Sequence, residues 1–173
     1  MKKIVLIGYM GSGKSTIGKE LSKVLSLPFV DLDQKIEEIE GMSIPELFAS
    51  KGEIYFRRKE RETLFSLMNS NEGLIIATGG GTPCYGDTLK VLQEQSNSMV
   101  FYLKVSLNEL VTRLQPEKNN RPLIAHLETL DDLNDFVRKH LFERSYYYSQ
   151  AHQTISAEES VEMVTEAIVG TLF

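Results

Sequence analysis

The sequence has a single cysteine, Cys84, so no disulfide can form within the chain. A reducing, intracellular compartment is the simplest interpretation. A cysteine nucleophile would need a histidine partner, and His126, His140 and His152 show no spacing that predicts one. We expect these three histidines to lie on the surface or in packing positions.

Basic charge and long apolar runs are also scarce. The chain has 19 Lys and Arg against 24 Asp and Glu, a net charge of −5, which argues against a nucleic-acid partner. After two lysines near the start, only four apolar residues precede Gly8, too few for a signal peptide core or a membrane span. We therefore expect a cytoplasmic protein without a membrane partner. No additional apolar helix face stands out, so we expect a monomer.

Short apolar runs alternate with helical patterns along the 173 residues, of which 42% are hydrophobic. This alternation predicts one α/β domain whose parallel sheet is covered on both faces, with ligands at the carboxyl ends of the strands. A capping box is predicted at Ser43 and Glu46. The predicted strands are 4–7, 28–33, 74–77, 99–103 and 154–155. The predicted helices are 16–25, 34–40, one that begins near 43, 54–68, 89–95, 107–114, 130–148 and 157–173.

The first predicted strand leads into GYMGSGKS, residues 8–15, and a helix follows. This is the G-x-x-x-x-G-K-[ST] pattern in its required context, so it predicts a phosphate-binding loop for a nucleoside triphosphate. Lys14 would reach the β and γ phosphates, and the hydroxyl of Ser15 would ligate Mg²⁺. The alternative is a glycine-rich turn with a surface lysine.

A second Mg²⁺ ligand is expected at the end of another strand. The apolar run 74–77 ends in Thr78 and three glycines, so the candidates are Asp31 and Asp33. Strand alternation would place both carboxylates on the same side, one for the metal and one for the acceptor. The alternative is that either residue caps the next helix. A GTPase is disfavoured, because the sequence has no Asn-Lys-x-Asp segment.

The densest basic cluster runs from Arg57 to Arg61, and helical spacing allows Glu60 to orient Arg57. A solvated face with local ion pairs is the alternative, and the same ambiguity holds for Arg144. Two arginines from separate helices would suit a carboxylate. The three glycines at 79–81 would allow the backbone to approach that small molecule closely.

Residues 115–126 are charged and contain two prolines, which predicts a mobile loop. Arg121 lies in this loop. Closure over the nucleotide could bring its guanidinium to the transferring phosphoryl group. The alternative is an ordinary solvent-facing arginine.

Together with the phosphate loop, several segments in the same order make the chain resemble the shikimate kinase family. They are Asp31-Leu32-Asp33, Gly52-Glu53, Phe56-Arg57-x-x-Glu60, Thr78-Gly79-Gly80-Gly81 and Arg121-Pro122-Leu123. The resemblance implies a three-layer P-loop NTPase fold, similar to nucleoside monophosphate kinases, with a five-stranded parallel sheet. It also implies a single kinase domain over 1–173, with a substrate-binding subdomain at about 33–61 and a lid at about 115–126.

The resemblance further implies transfer of the γ-phosphoryl group of ATP to the 3-hydroxyl of shikimate, in aromatic amino acid biosynthesis through chorismate. Asp33, Lys14 and Arg121 would be catalytic. The implied ATP-binding residues are Gly11, Ser12, Gly13, Lys14, Ser15, Thr16, Arg113 and Arg121. Shikimate would contact Asp33, Arg57, Gly79, Gly80, Gly81 and Arg144. Mg²⁺ would be held by Ser15 directly and by Asp31 through water.

Two segments differ from the usual family pattern. No proline follows Arg144, and the loop 115–120 lacks glycine. For Asp33 we expect an ordinary carboxylate pKa near ~4, since a loose phosphoryl transition state does not require a strong base. Three alternatives remain open: a kinase for another polyol acid such as gluconate, a nucleoside monophosphate kinase, and a nucleotide-binding module without catalysis.

Overall fold

The computed structural model describes residues 2–172 and contains a five-stranded, fully parallel sheet. The strands are β1 (Lys3–Ile7), β2 (Phe29–Asp31), β3 (Leu74–Ala77), β4 (Ser98–Lys104) and β5 (Gln153–Ser156). Their order across the sheet is β2-β3-β1-β4-β5. Every residue of β1 and β3 is buried, as expected for central strands covered on both faces.

Seven helices connect and cover the strands. They are α1 (Lys14–Leu25), α2 (Leu32–Glu40), α3 (Ile44–Asn69), α4 (Thr88–Glu94), α5 (Leu107–Leu114), α6 (Leu130–Tyr148) and α7 (Val161–Gly170). Short 3₁₀ turns lie at Thr82–Cys84 and Lys118–Asn120. None of the helices within residues 2–172 is both long enough and apolar enough to cross a membrane.

The connections place the helices in two layers. The crossover from β1 to β2 runs one way across the sheet, and the crossover from β3 to β4 runs the other way. Because such crossovers are right-handed, α1 covers one face and α4 the opposite face. Helix α7 packs against α1, and α6 packs against α5. The predicted three-layer α/β arrangement is thus confirmed.

Several element boundaries follow the predictions closely. Strand β3 and helices α5 and α6 have the predicted bounds, and Ser43 and Glu46 form the predicted capping box. Helix α3 continues through the predicted gap, with a non-helical break at Gly52, where φ is 81°.

Two predicted elements were wrong in extent. The second strand ends at Asp31, because the side chain of that residue accepts hydrogen bonds from the backbone N–H groups of Asp33 and Gln34 and starts α2. Asp33 therefore lies in the first turn of a helix. The last helix begins at Val161 rather than at 157, because Ser160 caps it. The predicted end of that helix, Phe173, lies outside the described residues.

Candidate active site

The phosphate loop lies between β1 and α1, at the carboxyl end of the central strand. Gly11 and Gly13 have φ angles of 80° and 89°, a conformation that side chains with a Cβ rarely adopt. The loop also carries a backbone hydrogen bond from Ser12 N to Tyr9 O of 3.2 Å. The glycine pattern of the sequence thus produces a tightly wound turn.

Helix α1 begins at Lys14 without a side-chain cap among the described residues and without an acid in its first turn. Its first N–H groups and its positive dipole end therefore face the cleft, which is the usual arrangement of an anion site. Lys14 Nζ donates to the carbonyl oxygens of Gly8 and Tyr9, at 2.8 and 2.9 Å. Burial lowers the pKa of Lys14 to about 8, against the opposing influence of Asp33 and Asp31.

Ser15 and Asp31 are in direct contact in this cleft. The Ser15 hydroxyl donates to Asp31 Oδ2 at 2.6 Å. The other carboxylate oxygen of Asp31 caps α2, as the alternative prediction had it, and Asp31 also lines the cleft.

Asp33 reaches the same cleft from the first turn of α2. Burial, followed by the nearby carboxylates of Glu60 and Asp31, raises its pKa to about 6. The expected value near ~4 was therefore wrong, because the sequence shows neither the burial of Asp33 nor its proximity to Glu60.

A cleft of about 550 Å³ joins these groups. Its lining includes the phosphate loop, Asp31, Asp33, and two of the predicted glycines, Gly79 and Gly80. Arg113 and Arg121 also line it, together with Thr16 on α1. At the far end the lining comprises Ala157, Glu159, Val161 and Val164, none of which the sequence predicted. The cleft is therefore long enough to pass from Asp33 to the beginning of α7.

The three glycines after β3 each face a different predicted substrate residue. A Cβ atom on Gly79 would lie 3.1 Å from Asp33 Oδ1. On Gly80 it would lie 3.2 Å from Arg144 Nη1, and on Gly81 it would lie 3.0 Å from Arg57 Nη2. Residues from three separate helices thus converge on one short loop that carries no side chains.

Arg57 is held in place from several sides. Its Nη1 donates to Glu60 Oε2 at 2.9 Å, and its Nε lies 3.7 Å from Glu53. Glu60 is only 3% exposed and also accepts a 2.6 Å hydrogen bond from the Thr82 hydroxyl. The guanidinium group stacks on Tyr85, 3.9 Å from the ring centroid. The contact between Glu60 and Arg57 has the geometry that the predicted orienting role requires. No sequence signal pointed to the contact with Tyr85.

Arg144 lies on α6, beside the loop that follows β3. Its guanidinium group lies 5.9 Å from the centroid of the Tyr9 ring. One turn further on, the buried Tyr148 donates a 2.6 Å hydrogen bond to the carbonyl oxygen of Gly80. The segment after Arg144 is regular helix through Tyr148, so the absent proline leaves α6 unbroken there.

The two other predicted arginines, Arg113 and Arg121, line the cleft. Arg113 donates to Glu109 at 2.7 Å, to Gly11 O at 3.3 Å and to Ala157 O at 2.9 Å. It therefore joins the phosphate loop to the segment before α7. Arg121 forms an ion pair with Glu117, one turn earlier in the loop 115–126, and both residues line the cleft.

The cysteine and two histidines have ordinary structural surroundings. Burial raises the pKa of the Cys84 thiol to about 11, so this residue is a poor nucleophile. His152 Nδ1 accepts from Val100 N at 2.9 Å, and His140 Nδ1 lies 3.0 Å from the Tyr9 hydroxyl. Within residues 2–172, no cluster of three or more His, Cys, Asp or Glu could hold a metal ion.

Comparison with known proteins identifies the family. The sequence pattern of the family described as Shikimate kinase matches residues 10–172. The chain is 47% identical to the shikimate kinase of Flavobacterium psychrophilum over 174 residues, which cover all of both chains.

Solved structures agree with this result. A crystal structure of shikimate kinase from Bacteroides thetaiotaomicron has a TM-score of 0.90 and 34% identity, and the match covers 99% of this chain and 98% of that one. Shikimate kinase from Acinetobacter baumannii, solved in complex with shikimate, has a TM-score of 0.86 and 30% identity, with 99% and 93% covered. A gluconokinase from Sinorhizobium meliloti, at a TM-score of 0.64 and 15% identity, shares the fold. The chain belongs to the shikimate kinase family and is an ATP-dependent kinase.

Proposed function

We propose that this kinase transfers the γ-phosphoryl group of ATP to the 3-hydroxyl of shikimate and gives shikimate 3-phosphate. Membership of the family supports the substrate, and so does the similarity to a structure solved with shikimate. The product would enter the biosynthesis of aromatic amino acids by way of chorismate. The observation that carries this proposal is the convergence of Asp33, Arg57 and Arg144 on the glycine triplet beside the phosphate loop.

Asp33 is proposed to orient the acceptor hydroxyl and to receive its proton. Its carboxylate lies in the same cleft as Lys14, which would hold the β and γ phosphates. A pKa of about 6 makes Asp33 a better base than an ordinary aspartate and still leaves it ionised at neutral pH. The proton would move from the hydroxyl to Asp33 late, as the oxygen bonds to phosphorus and the bond from the γ-phosphorus to its bridging oxygen breaks.

The shikimate carboxylate is proposed to bind between Arg57 and Arg144. Two guanidinium groups can bind one carboxylate through charge-assisted hydrogen bonds. The pairs with Glu60 and Glu53 and the stacking on Tyr85 hold Arg57 in one orientation before the substrate arrives. Gly79, Gly80 and Gly81 would leave space for the ring of the acid beside these groups.

On the donor side, Gly11 to Thr16 are proposed to surround the phosphates, and Arg113 to lie near the adenine. Arg121 would exchange its ion pair with Glu117 for the transferring phosphoryl group when the lid at about 115–126 closes. The substrate-binding subdomain at about 33–61 would contain Asp33 and Arg57. Both halves of the site lie in one chain, which supports an active monomer, and the use of ATP supports a cytoplasmic location.

Mg²⁺ is proposed to accompany ATP. The contact between the Ser15 hydroxyl and the Asp31 carboxylate offers the oxygen ligands that this ion prefers, and one or two protein ligands suffice when phosphates and waters supply the rest. Ser15 would bind the ion directly and Asp31 through water. When bound, Mg²⁺ would neutralise charge on the phosphate oxygens.

An assay of ADP release tests the function. With MgATP, the purified protein should release ADP when shikimate is added and should show little release with gluconate or with a nucleoside monophosphate. ATP binding without any acceptor-dependent ADP release would instead indicate a regulatory module. A larger rate with gluconate would indicate the other polyol acid kinase.

Two substitutions test the assigned roles. Asp33→Asn should lower kcat by about 100-fold or more and leave the affinity for ATP nearly unchanged, because the hydroxyl loses its proton acceptor. Arg57→Ala should instead raise KM for shikimate by at least about tenfold. Turnover of Asp33→Asn within about tenfold of the parent would contradict the assignment.

Thermal unfolding supplies the control for Asp33→Asn. The pKa of Asp33 is higher in the folded protein, about 6, than in an unfolded chain, about 3.9, so its ionisation costs stability as the pH rises from about 4, and the full cost is present above about pH 6. At pH 8 the Asn variant should therefore unfold at a temperature no lower than the parent. Lost turnover would then reflect chemistry rather than unfolding.

A further inference from the structure

Tyr9 occupies one of the unspecified positions of the phosphate loop, yet it is among the most deeply buried side chains, at 1% exposure. Its backbone carbonyl accepts a 2.9 Å hydrogen bond from Lys14 Nζ. Its ring lies under the guanidinium group of Arg144, with 5.9 Å between the guanidinium carbon and the ring centroid. One residue thus touches the donor side through its backbone and the acceptor side through its ring.

The hydroxyl of Tyr9 has a partner on the same helix as Arg144. It lies 3.0 Å from His140 Nδ1, and the two rings meet edge to face with 5.6 Å between centroids. His140 and Arg144 are four residues apart on α6 and therefore lie on the same helix face. The edge of Phe136, one turn before, packs against His140, with 5.2 Å between ring centroids.

The charges favour a neutral hydrogen bond at this contact. Burial raises the pKa of Tyr9, so the phenol stays protonated. Burial lowers the pKa of His140, and the Arg144 cation lowers it further, while Glu143 opposes this. The contact between the Tyr9 hydroxyl and His140 Nδ1 therefore joins two neutral groups and fixes the ring of Tyr9 against α6.

We propose that Tyr9 and His140 form a positioning pair that holds Arg144 at the carboxylate subsite and in register with the phosphate loop. The inference rests on the proposed function, since it assumes that Arg144 binds the carboxylate of the acceptor. The face of an aromatic ring attracts a guanidinium group, so a fixed Tyr9 ring restrains Arg144 without neutralising it. An acid such as Glu60, which restrains Arg57, would compete with the substrate carboxylate for the cation.

The experiment uses Tyr9→Phe, His140→Phe and the double variant, in steady-state assays with shikimate and MgATP. Tyr9→Phe removes only the hydroxyl and keeps the volume of the ring. Each single variant should raise KM for shikimate by about fivefold, the usual effect of one hydrogen bond. KM for ATP and kcat should stay within about twofold of the parent, and the double variant should be no worse than either single variant, because both remove the same contact.

Two further measurements separate positioning from simple loss of structure. With the carboxamide of shikimate as acceptor, the parent and the variants should have equal KM values, because Arg144 then has no carboxylate to bind. His140→Asn places an acceptor atom near the position of Nδ1 and should restore most of the parent's KM. Tyr146→Phe, which removes an exposed hydroxyl from the same helix, is the matched control and should equal the parent.

Calorimetry without nucleotide measures the affinity of the parent and of each variant for shikimate, and this comparison does not depend on turnover. Unchanged shikimate affinities in both single variants of an active parent would overturn the positioning pair and leave the proposed function intact. Additive losses, or equal losses with the carboxamide, would also overturn it. A parent that neither binds nor phosphorylates shikimate would overturn the proposed function and this inference together.

Discussion

Asp33 and Lys14 lie in one cleft, and burial changes their pKa values in opposite directions. The pKa of Asp33 is raised to about 6, and the pKa of Lys14 is lowered to about 8. In both cases the protein disfavours the charged form. The two groups are both charged only between these values, which includes neutral pH.

These values predict the pH dependence of the free enzyme. We expect kcat/KM for shikimate to rise with pH through about 6, as Asp33 becomes able to accept a proton. It should fall above about 8, as Lys14 loses the charge that holds the phosphates. Initial rates at low shikimate concentration between pH 5 and pH 9, in one buffer mixture of constant ionic strength, would measure both limbs.

The variant Glu60→Gln sharpens this prediction, because the Glu60 carboxylate helps to raise the pKa of Asp33. The acid limb of the profile should move to lower pH in this variant. If the acid limb of the Glu60→Gln profile stays at the same pH as in the parent, a group other than Asp33 controls that limb. Glu62→Gln, on an exposed part of the same helix, is the matched control.

Residue types in the site were more predictable than their local conformation. The sequence placed Asp31 and Asp33 together at the cleft, and the structure does too, but by a helical turn rather than by strand alternation. The alternative prediction, a helix cap at either aspartate, is correct for Asp31, which directly precedes the helical pattern. Tyr85 and Tyr148 gave no such signal, because stacking and a hydrogen bond to a distant backbone carbonyl depend on the tertiary fold.

Among the elements, α2 and α3 are joined by a buried carboxylate. Glu40, at the end of α2, contacts Lys51 at 2.7 Å, Lys59 at 3.1 Å and the hydroxyl of Tyr55 at 3.0 Å. Lys51 lies before the break at Gly52 and the other two partners lie after it. Hydrogen bonds from Lys51 and Lys59 hold the pKa of Glu40 at about 2. This contact therefore links the end of α2 to α3 on both sides of the break.

We predict that Glu40→Gln raises KM for shikimate by about threefold to tenfold, because the two substrate-binding helices lose their common anchor. KM for ATP should change little. Glu38→Gln, which removes an exposed ion pair within α2, is the control.

Because the pKa of Glu40 is depressed in the folded protein, its contribution to stability is present above about pH 4 and is lost as the pH falls towards 2. The difference in melting temperature between parent and variant should narrow over that range.

Helices and strands were predictable where the spacing of apolar residues follows one regular period. Helices α5 and α6 have clear starts at Ser106 and Thr129 and regular apolar spacing, and their bounds agree with the prediction. The continuity of α3 across Gly52 was not predictable, since a glycine with a neighbouring acid equally suggests the end of a helix.

At the scale of the whole molecule, the strand order determines which loops meet. β3 lies between β2 and β1, so the glycine triplet after β3 lies between Asp31 and the phosphate loop. The sequence predicted parallel strands and the edge at which ligands bind. The strand order was not predicted, because strand neighbours depend on long-range pairing rather than on local pattern.

A nucleotide test applies to the molecule as a whole. A non-hydrolysable ATP analogue with Mg²⁺, at about 100 times its Kd, should raise the melting temperature by about 5–10 °C, since a ligand that binds only the folded state stabilises it. Chelation of Mg²⁺ with EDTA should remove much of this shift. In Ser15→Ala the shift should be equally small with and without the chelator. A full shift in that variant would exclude Ser15 as a metal ligand.

The bare glycine loop after β3 has a consequence for how this scaffold diversifies. Three consecutive positions carry no side chain, and a methyl at each would lie 3.0–3.2 Å from a different polar group, which would have to move. Chemists who wish to redirect the enzyme towards a smaller acid could therefore begin with single alanines at 79, 80 or 81. Each would displace a different one of the three side chains proposed to contact the acid.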